Sequence, residues 1–437
     1  MSGHDWDQVA IREAALGIFD GPHATPKKTT SGPVFLGISS LSDGRLDLGA
    51  SAHLSEEDFV RWTRRVTPRP GDIVFSYETR LGQAAIVPEG LRCCLGRRMA
   101  LVRPDPARLD SRFFLYQYLS PDFQDFLRSR TVAGSTVDRI LLTEFPDFPI
   151  SLPPLAEQRA IAGVLGTLDD KIEANRTLNE TLEATCQALF RSWFVDFDPV
   201  VAKSEGRRPA HLTDDVATLF PDRLEDSPIG PVPAGWKVGC LADVADLTRD
   251  GLQPKDSPLE TFLHFSIPAF DVAKTPVAEL GGQIRSNKFL VPSGAVLLSK
   301  LNPHIPRIWL PDDDREMRAV ASTEFLVMKP SGSMERCVLY GLFSSQAFLV
   351  EFSSLVTGTS NSHQRVKPED FLRMPIVVPD EEVVRAAEGA FLPMIETQLS
   401  NLRESHTLAA LRDALLPRLL SGELWVREAE QLVEEAV

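Results

Sequence analysis

The chain has 437 residues, 43% of them hydrophobic, and a net charge of −15 at pH 7, which is enough for two or three domains with proper cores. No run of eighteen uncharged apolar residues occurs and the opening MSGHDWDQ has neither a basic nor an apolar targeting region, so a membrane span and a signal peptide are not expected. Five cysteines without a CxxC pair fit a reducing, cytoplasmic setting and give no metal-ligand spacing, with Cys93 and Cys94 reading as core.

The negative charge is unevenly spread. Residues 1–152 carry 18 Lys and Arg against 19 Asp and Glu, and residues 232–378 carry 15 against 16, so most of the excess falls elsewhere. Near-neutral halves can each hold a local basic face, and the total charge neither excludes nor supports a nucleic-acid partner.

In chain order, residues 1–152 read as a globular α+β domain. It opens with an irregular segment, Ile18–Lys28, which ends in Lys27 and Lys28 after a GPHATP turn. Strand-like runs follow at Val34–Ser39 and Asp72–Tyr77, and helical patches at Ser55–Arg65 and Ser111–Leu127. The domain closes on GSTVDRI (Gly134–Ile140) and FPDFPISLPPL. Pro153 and Pro154 mark the start of a long helical segment, residues 153–196, with an apolar stripe at Ile161, Leu165, Leu168, Ile172, Leu178, Leu182, Leu189 and Trp193. From Glu157 to Phe194 it has 38 residues, roughly 57 Å at ~1.5 Å per residue. One small domain cannot cover such a stripe, so a second long helix is needed. Residues 197–231, rich in Pro, Gly and charge, read as a linker. A second α+β domain follows at 232–378. A second long helix at 379–422 carries Ile395, Leu399, Leu402, Leu408, Leu411, Leu415 and Leu419, and 423–437 reads as an acidic tail.

The halves repeat. Trp6, Asp20 and Gly21 recur 230 positions later as Trp236, Asp250 and Gly251. Arg139, Phe145, Pro149, Ile150, Asn175, Leu182, Ala188 and Leu189 recur 226 positions later as Arg365, Phe371, Pro375, Ile376, Asn401, Leu408, Ala414 and Leu415. A period this long implies a duplicated domain-plus-helix module and a pseudo-twofold molecule, with the two long helices antiparallel and the globular domains at opposite ends. Duplex DNA is a partner of matching symmetry. Asn175 and Asn401 fall at or beside the stripes, either on the helix flank or as buried amides that fix register.

No phosphate loop, GxSxG elbow or HExxH is present, and the nearest approach to an amino-methyltransferase signature is Asn302-Pro303-His304. Asp147, Asp169 and Lys171 resemble a nuclease pattern only formally, because Asp169 and Lys171 lie on different faces of one helix. The chain therefore reads as non-catalytic. Binding chemistry is richer. GSTVDRI offers Ser135, Thr136 and Arg139, and the equivalent GTSNSHQRVK offers Thr359, Ser360, Asn361, His363, Gln364, Arg365 and Lys367. Short hydroxyls suit phosphates, and Arg, Asn, Gln and His suit base edges, although ordinary surface loops share this composition. Ser76, Tyr77 and Arg80, matched by Ser299, Lys300 and Asn302, form a second pair of strand-end segments, read equally as DNA contacts or simple turns. Lys27 and Lys28 suit phosphate contact or plain solvation.

Leu152–Arg159 (LPPLAEQR), the following LDDKIEANRTLNETLEATCQALFRSWFVDFDPV, then ATLFPDRLEDSPIG and PVPAGWK, resemble the specificity subunit of type I restriction-modification systems, as does the opening DGPHATP. The resemblance spans nearly the whole chain and is strongest from Leu152 to Trp236. It implies two target-recognition domains separated by two antiparallel conserved helices. It also implies an asymmetric bipartite double-stranded DNA target, one half-site per domain, with the helices setting the unread spacer. Two modification subunits that bind S-adenosylmethionine and methylate adenine would dock on the helices, Glu157, Gln158 and Arg159 among the docking residues. Two motor-nuclease subunits would add ATP- and Mg-dependent cleavage, and no cofactor would bind this chain. The second module departs from the pattern, with PDEEVVRAAEGAF where the first has PPLAEQRAIAGVL. Two other expectations remain open: recognition for a partner that fuses modification and cleavage, and a coiled-coil adaptor without DNA binding.

Overall fold

In the computed structural model, which describes residues 6–42, 44–49, 51–132, 137–357 and 364–436, the two apolar repeats become helices Leu155–Phe194 and Glu381–Leu420, each of 40 residues. Both are cut near their middles by the division of the chain into two units, residues 1–174 with 403–437 and residues 175–402.

The first unit holds a four-stranded antiparallel sheet in the order Ala15–Asp20, Met99–Pro104, Ile73–Ser76, Ala84–Ile86. A second sheet pairs Thr29–Leu36 parallel with Cys93–Leu95 and antiparallel with Ala52–His53. Two short helices follow, Ser111–Leu119 and Pro121–Ser129, started by side-chain caps from Asp110 and Ser120, the second also by Pro at its first position. Gln8–Ala10 pairs with Pro149–Ser151 and ties the two ends of the domain together. The core joins Phe75, Phe113, Phe114 and Phe145 to Ile161, Leu165 and Leu168 of the first long helix and to Leu408, Leu415 and Leu419 of the second. The expected acidic tail is corrected here. Val426–Glu434 is an amphipathic helix, and Leu424, Ala429 and Val433 are buried in the same core.

The second unit repeats this plan. Its four-stranded antiparallel sheet runs Ala245–Thr248, Phe325–Pro330, Val296–Ser299, Ile308–Trp309. Thr261–Phe265 pairs parallel with Ala319–Ser322 and antiparallel with Val277–Leu280. The helix pair is Arg336–Ser344 and Gln346–Ser354, and the tie is Lys237–Cys240 with Pro375–Val378. The four-stranded sheets share one strand order and the second sheets share a parallel and an antiparallel pair, which expresses the duplication as structure, although Gly251–Leu252 and Lys288–Leu290 extend the second unit's sheet from three strands to five. Residues 197–231 are not a plain linker. They contain helices Asp198–Ser204 and Asp214–Leu219, and they bury Val200 and Phe220, the latter edge-on to Trp193 at 5.4 Å.

Within each unit the long helices run antiparallel, since residue numbers fall on one as they rise on the other. In the first, Asp169 accepts hydrogen bonds from Arg412 Nη1 and Tyr116 Oη, both at 2.7 Å, and Lys171 pairs with Glu404 at 3.3 Å. In the second, Asn401 Nδ2 donates to Asn179 Oδ1 at 2.8 Å, Asn179 Nδ2 donates to the Gln398 carbonyl at 3.1 Å, and Cys186 meets Met394. Trp193 and Ile395 are buried, and Ile172, Leu182, Leu189, Leu399 and Leu411 are half-buried. Leu178 and Leu402, expected in the stripe, are instead 44% and 43% exposed. Asn401 reaches the opposing helix, and Leu402, about 100° further round at 3.6 residues per turn, turns outward.

Candidate nucleic-acid interface and the helix starts

The strand Ile73–Ser76 runs into a clamp that holds the stem of the GSTVDRI loop. Tyr77 N donates to the Arg98 carbonyl (3.2 Å), Ile140 N to the Tyr77 carbonyl (2.9 Å) and Thr79 N to the Asp138 carbonyl (3.2 Å). Arg139 bridges to both Glu78 and Val132. The Ser76 hydroxyl donates to the Glu78 carbonyl at 2.7 Å. Thr79 and Arg98 are left-handed at φ 70° and 71°, and strain of this kind, about 1–3 kcal/mol per residue, persists only where surrounding bonds enforce it. Arg98 Nε pairs with Glu78 at 2.8 Å and Arg98 Nη1 donates to Thr79 Oγ1.

The second unit builds the clamp again, bond for bond. Lys300 N donates to the Glu324 carbonyl (2.9 Å), Val366 N to the Lys300 carbonyl (3.1 Å) and Asn302 N to the Gln364 carbonyl (2.8 Å). Leu301 bridges to Arg365, the Ser299 hydroxyl donates to the Leu301 carbonyl, and Asn302 takes the left-handed place of Thr79 at φ 49°. The side chains differ. Glu324 stands where Arg98 stands, and accepts from Arg365 Nε at 3.0 Å and Nη2 at 2.9 Å. The Arg365 hydrogen bond holds the Glu324 carboxyl below its ordinary value, against a smaller opposing effect of burial.

The expected contact residues divide accordingly. Arg80, Arg139 and Lys367 are exposed, as are Lys27 and Lys28 just before the strand Thr29–Leu36, while Lys300, Asn302, Gln364 and Arg365 are partly exposed. Ser135, Thr136, Thr359, Ser360, Asn361 and His363 lie outside the described residues. Ser76, Tyr77 and Ser299 are corrections: they are 0%, 5% and 2% exposed, because every residue of Ile73–Ser76 and Val296–Ser299 is buried and the chain turns outward only afterwards. Burial chiefly, with Glu78 nearby, raises the Tyr77 phenol to about 12. Glu78, Thr79, Arg98 and Glu324 were not anticipated. The signal was positional, since Arg98 and Glu324 are 226 residues apart, the same offset as the two clamp arginines. The formal nuclease pattern is spread over separate ion pairs, Asp147 with Arg12, Asp169 with Arg412 and Lys171 with Glu404.

At the first helix start, Gln158 is fully buried. Its Nε2 donates to the Arg108 and Pro153 carbonyls, and its Oε1 accepts from Asp110 N, all at 2.8 Å. Its amide is therefore spent inside its own unit and is withdrawn as a docking contact, whereas Glu157 is partly exposed and Arg159 exposed. Val384 holds the equivalent place in the second helix. There the helix Arg336–Ser344 lacks a side-chain cap of its own, and Glu388 supplies one by accepting from Cys337 N (2.9 Å) and Val338 N (3.2 Å). The two helix starts thus do one structural job with different residues.

Among the described residues no helix is long and apolar enough to cross a membrane, and no group of three or more His, Cys, Asp or Glu is placed to hold a metal ion. Residues 51–184 match the type I restriction modification DNA specificity domain. The chain is 25% identical over 424 residues to the type I restriction enzyme HindI specificity subunit of Haemophilus influenzae, covering 82% of this chain and 87% of that one. It is 23% identical over 386 residues to the MjaIX specificity subunit of Methanocaldococcus jannaschii, covering 86% and 82%. A crystal structure of the S subunit of a type I restriction-modification system from M. genitalium shares the fold, with a TM-score of 0.56 at 14% identity over 96% of this chain and 99% of that one. By these matches, with the doubled α+β domain and its paired long helices, residues 51–184 carry the type I restriction modification DNA specificity domain, and the chain as a whole is similar to type I restriction enzyme specificity subunits.

Proposed function

We propose that this chain reads an asymmetric bipartite duplex, one half-site per domain, and carries two modification subunits on its helices. The observation that supports the reading is the repeated clamp. Its backbone is the same in both domains, yet Arg98 is replaced by Glu324, Asp138 by Gln364 and Thr79 by Asn302. A fixed frame with exchanged side chains is what reading two different half-sites requires. The frame also places Arg139 and Arg365 at one position of each loop stem.

In this reading the helices set the spacer. Forty residues give roughly 60 Å, at most about 18 base pairs at ~3.4 Å each. S-adenosylmethionine, ATP and Mg would be held by the modification and motor-nuclease subunits, two of each, and this chain would supply recognition alone. Selection from randomised duplexes by the chain bound to its modification subunit tests this. Two conserved blocks separated by a fixed unread stretch are expected, and a single continuous block would contradict it.

A further inference from the structure

We infer that Glu324 is a positioning residue for base recognition by the second domain, holding one edge of the Arg365 guanidinium so that it meets the duplex in a single orientation. The inference rests on the proposed DNA reading and goes beyond it in naming which side chain sets specificity, and how. Glu324 grips Arg365 by Nε and Nη2, a two-point contact that fixes the plane of the guanidinium where a single bond would not. The carboxylate is the more enclosed partner, at 24% side-chain exposure against 43% for the arginine, so it acts from behind. The frame beneath is the strained clamp, and Lys300 N is bonded to the backbone of Glu324 itself.

The first domain lacks this device. Arg98 occupies the equivalent position and is engaged by Glu78, so among the described residues no carboxylate grips Arg139 as Glu324 grips Arg365. An arginine already neutralised by a carboxylate gains less from a phosphate, and a guanidinium held in one plane matches the planar acceptor pair O6 and N7 of guanine. The second domain is therefore assigned a guanine contact of higher stringency than any made by Arg139.

The test uses the full chain assembled with its modification subunit, and duplexes carrying the mapped target or single-base changes in it. Glu324→Gln should lose discrimination at one guanine of the second half-site by about tenfold, the size expected when one long side chain must be ordered on binding. The first half-site should be unchanged, Glu324→Asp should recover part of the loss, and Glu324→Gln should add nothing in an Arg365→Ala background. Arg365→Lys keeps the charge without the fork, and should fold normally yet lose the same discrimination. If Arg365→Ala relaxes the second half-site but Glu324→Gln does not, positioning is refuted while DNA reading stands. If Arg365→Ala alters neither half-site, reading through the clamp is itself refuted. Equal weakening for all sequences would mean a phosphate contact and also overturns the inference.

Discussion

Gln158 illustrates how a residue can look like a partner contact and be a structural bolt. Its phrase, Glu157-Gln158-Arg159, is polar at the start of an exposed helix, yet its amide closes three hydrogen bonds to backbone groups. Gln158→Ala strands the Asp110 N–H and two carbonyls, and should cost about 2–3 kcal/mol in denaturant unfolding while leaving the methylated motif intact. Gly341 is a second such point. A Cβ there would stand 2.5 Å from the ring of Phe190 on the long helix, so Gly341→Ala should lower stability by about 1–3 kcal/mol. The Glu324–Arg365 contact carries a pH signature. The folded carboxyl titrates below its ordinary value of 4.5, so its stabilisation is complete above that value and is lost as pH falls through the lowered one. The unfolding difference between the parent and Glu324→Gln should be constant from neutral pH to about 4.5 and shrink below it.

At the scale of elements, the C-terminal helix gives the sharpest expectation. Removing residues 423–437 takes Leu424 and Val433 out of the core, at roughly 1.5–3 kcal/mol each. Hydrogen exchange should then show lost protection across residues 1–174, with residues 175–402 unaffected; a uniform loss would contradict the division into units. The long helices were legible because three-four spacing of Ile161, Leu165 and Leu168 persists over many turns. The helices Asp198–Ser204 and Asp214–Leu219 were not, since six or seven residues among Pro and Gly are too few to establish a period. The acidic composition of the C-terminus hid its one apolar face. Reading the stripe from Leu, Ile and Trp overlooked Cys186, Phe190 and Phe391, all buried in the second unit, where Cys186 meets Met394 and Phe391 meets Trp193 across the two helices. The repeat matched the two loop stems at Arg139 and Arg365, which take equivalent places, but the burial of Ser76 and Ser299 depends on strands covered on both faces, and no spacing in the sequence reports that.

For the whole molecule, the proposed function makes the duplication a source of two readers, with the paired long helices as a ruler between them. Cutting seven residues from each long helix at paired positions shortens the rod by roughly 10 Å, about three base pairs, and should shorten the spacer without changing either half-site. An unchanged spacer would remove the ruler. The central claim, that this chain decides which DNA sequence is modified, is tested most directly by a base-resolution methylation map of cells expressing it with a modification subunit that binds it, compared with that methyltransferase alone. An asymmetric, two-part adenine-methylated motif that appears only when this chain is present is the expected result. A map unchanged by the chain, with both proteins soluble and associated, would contradict it.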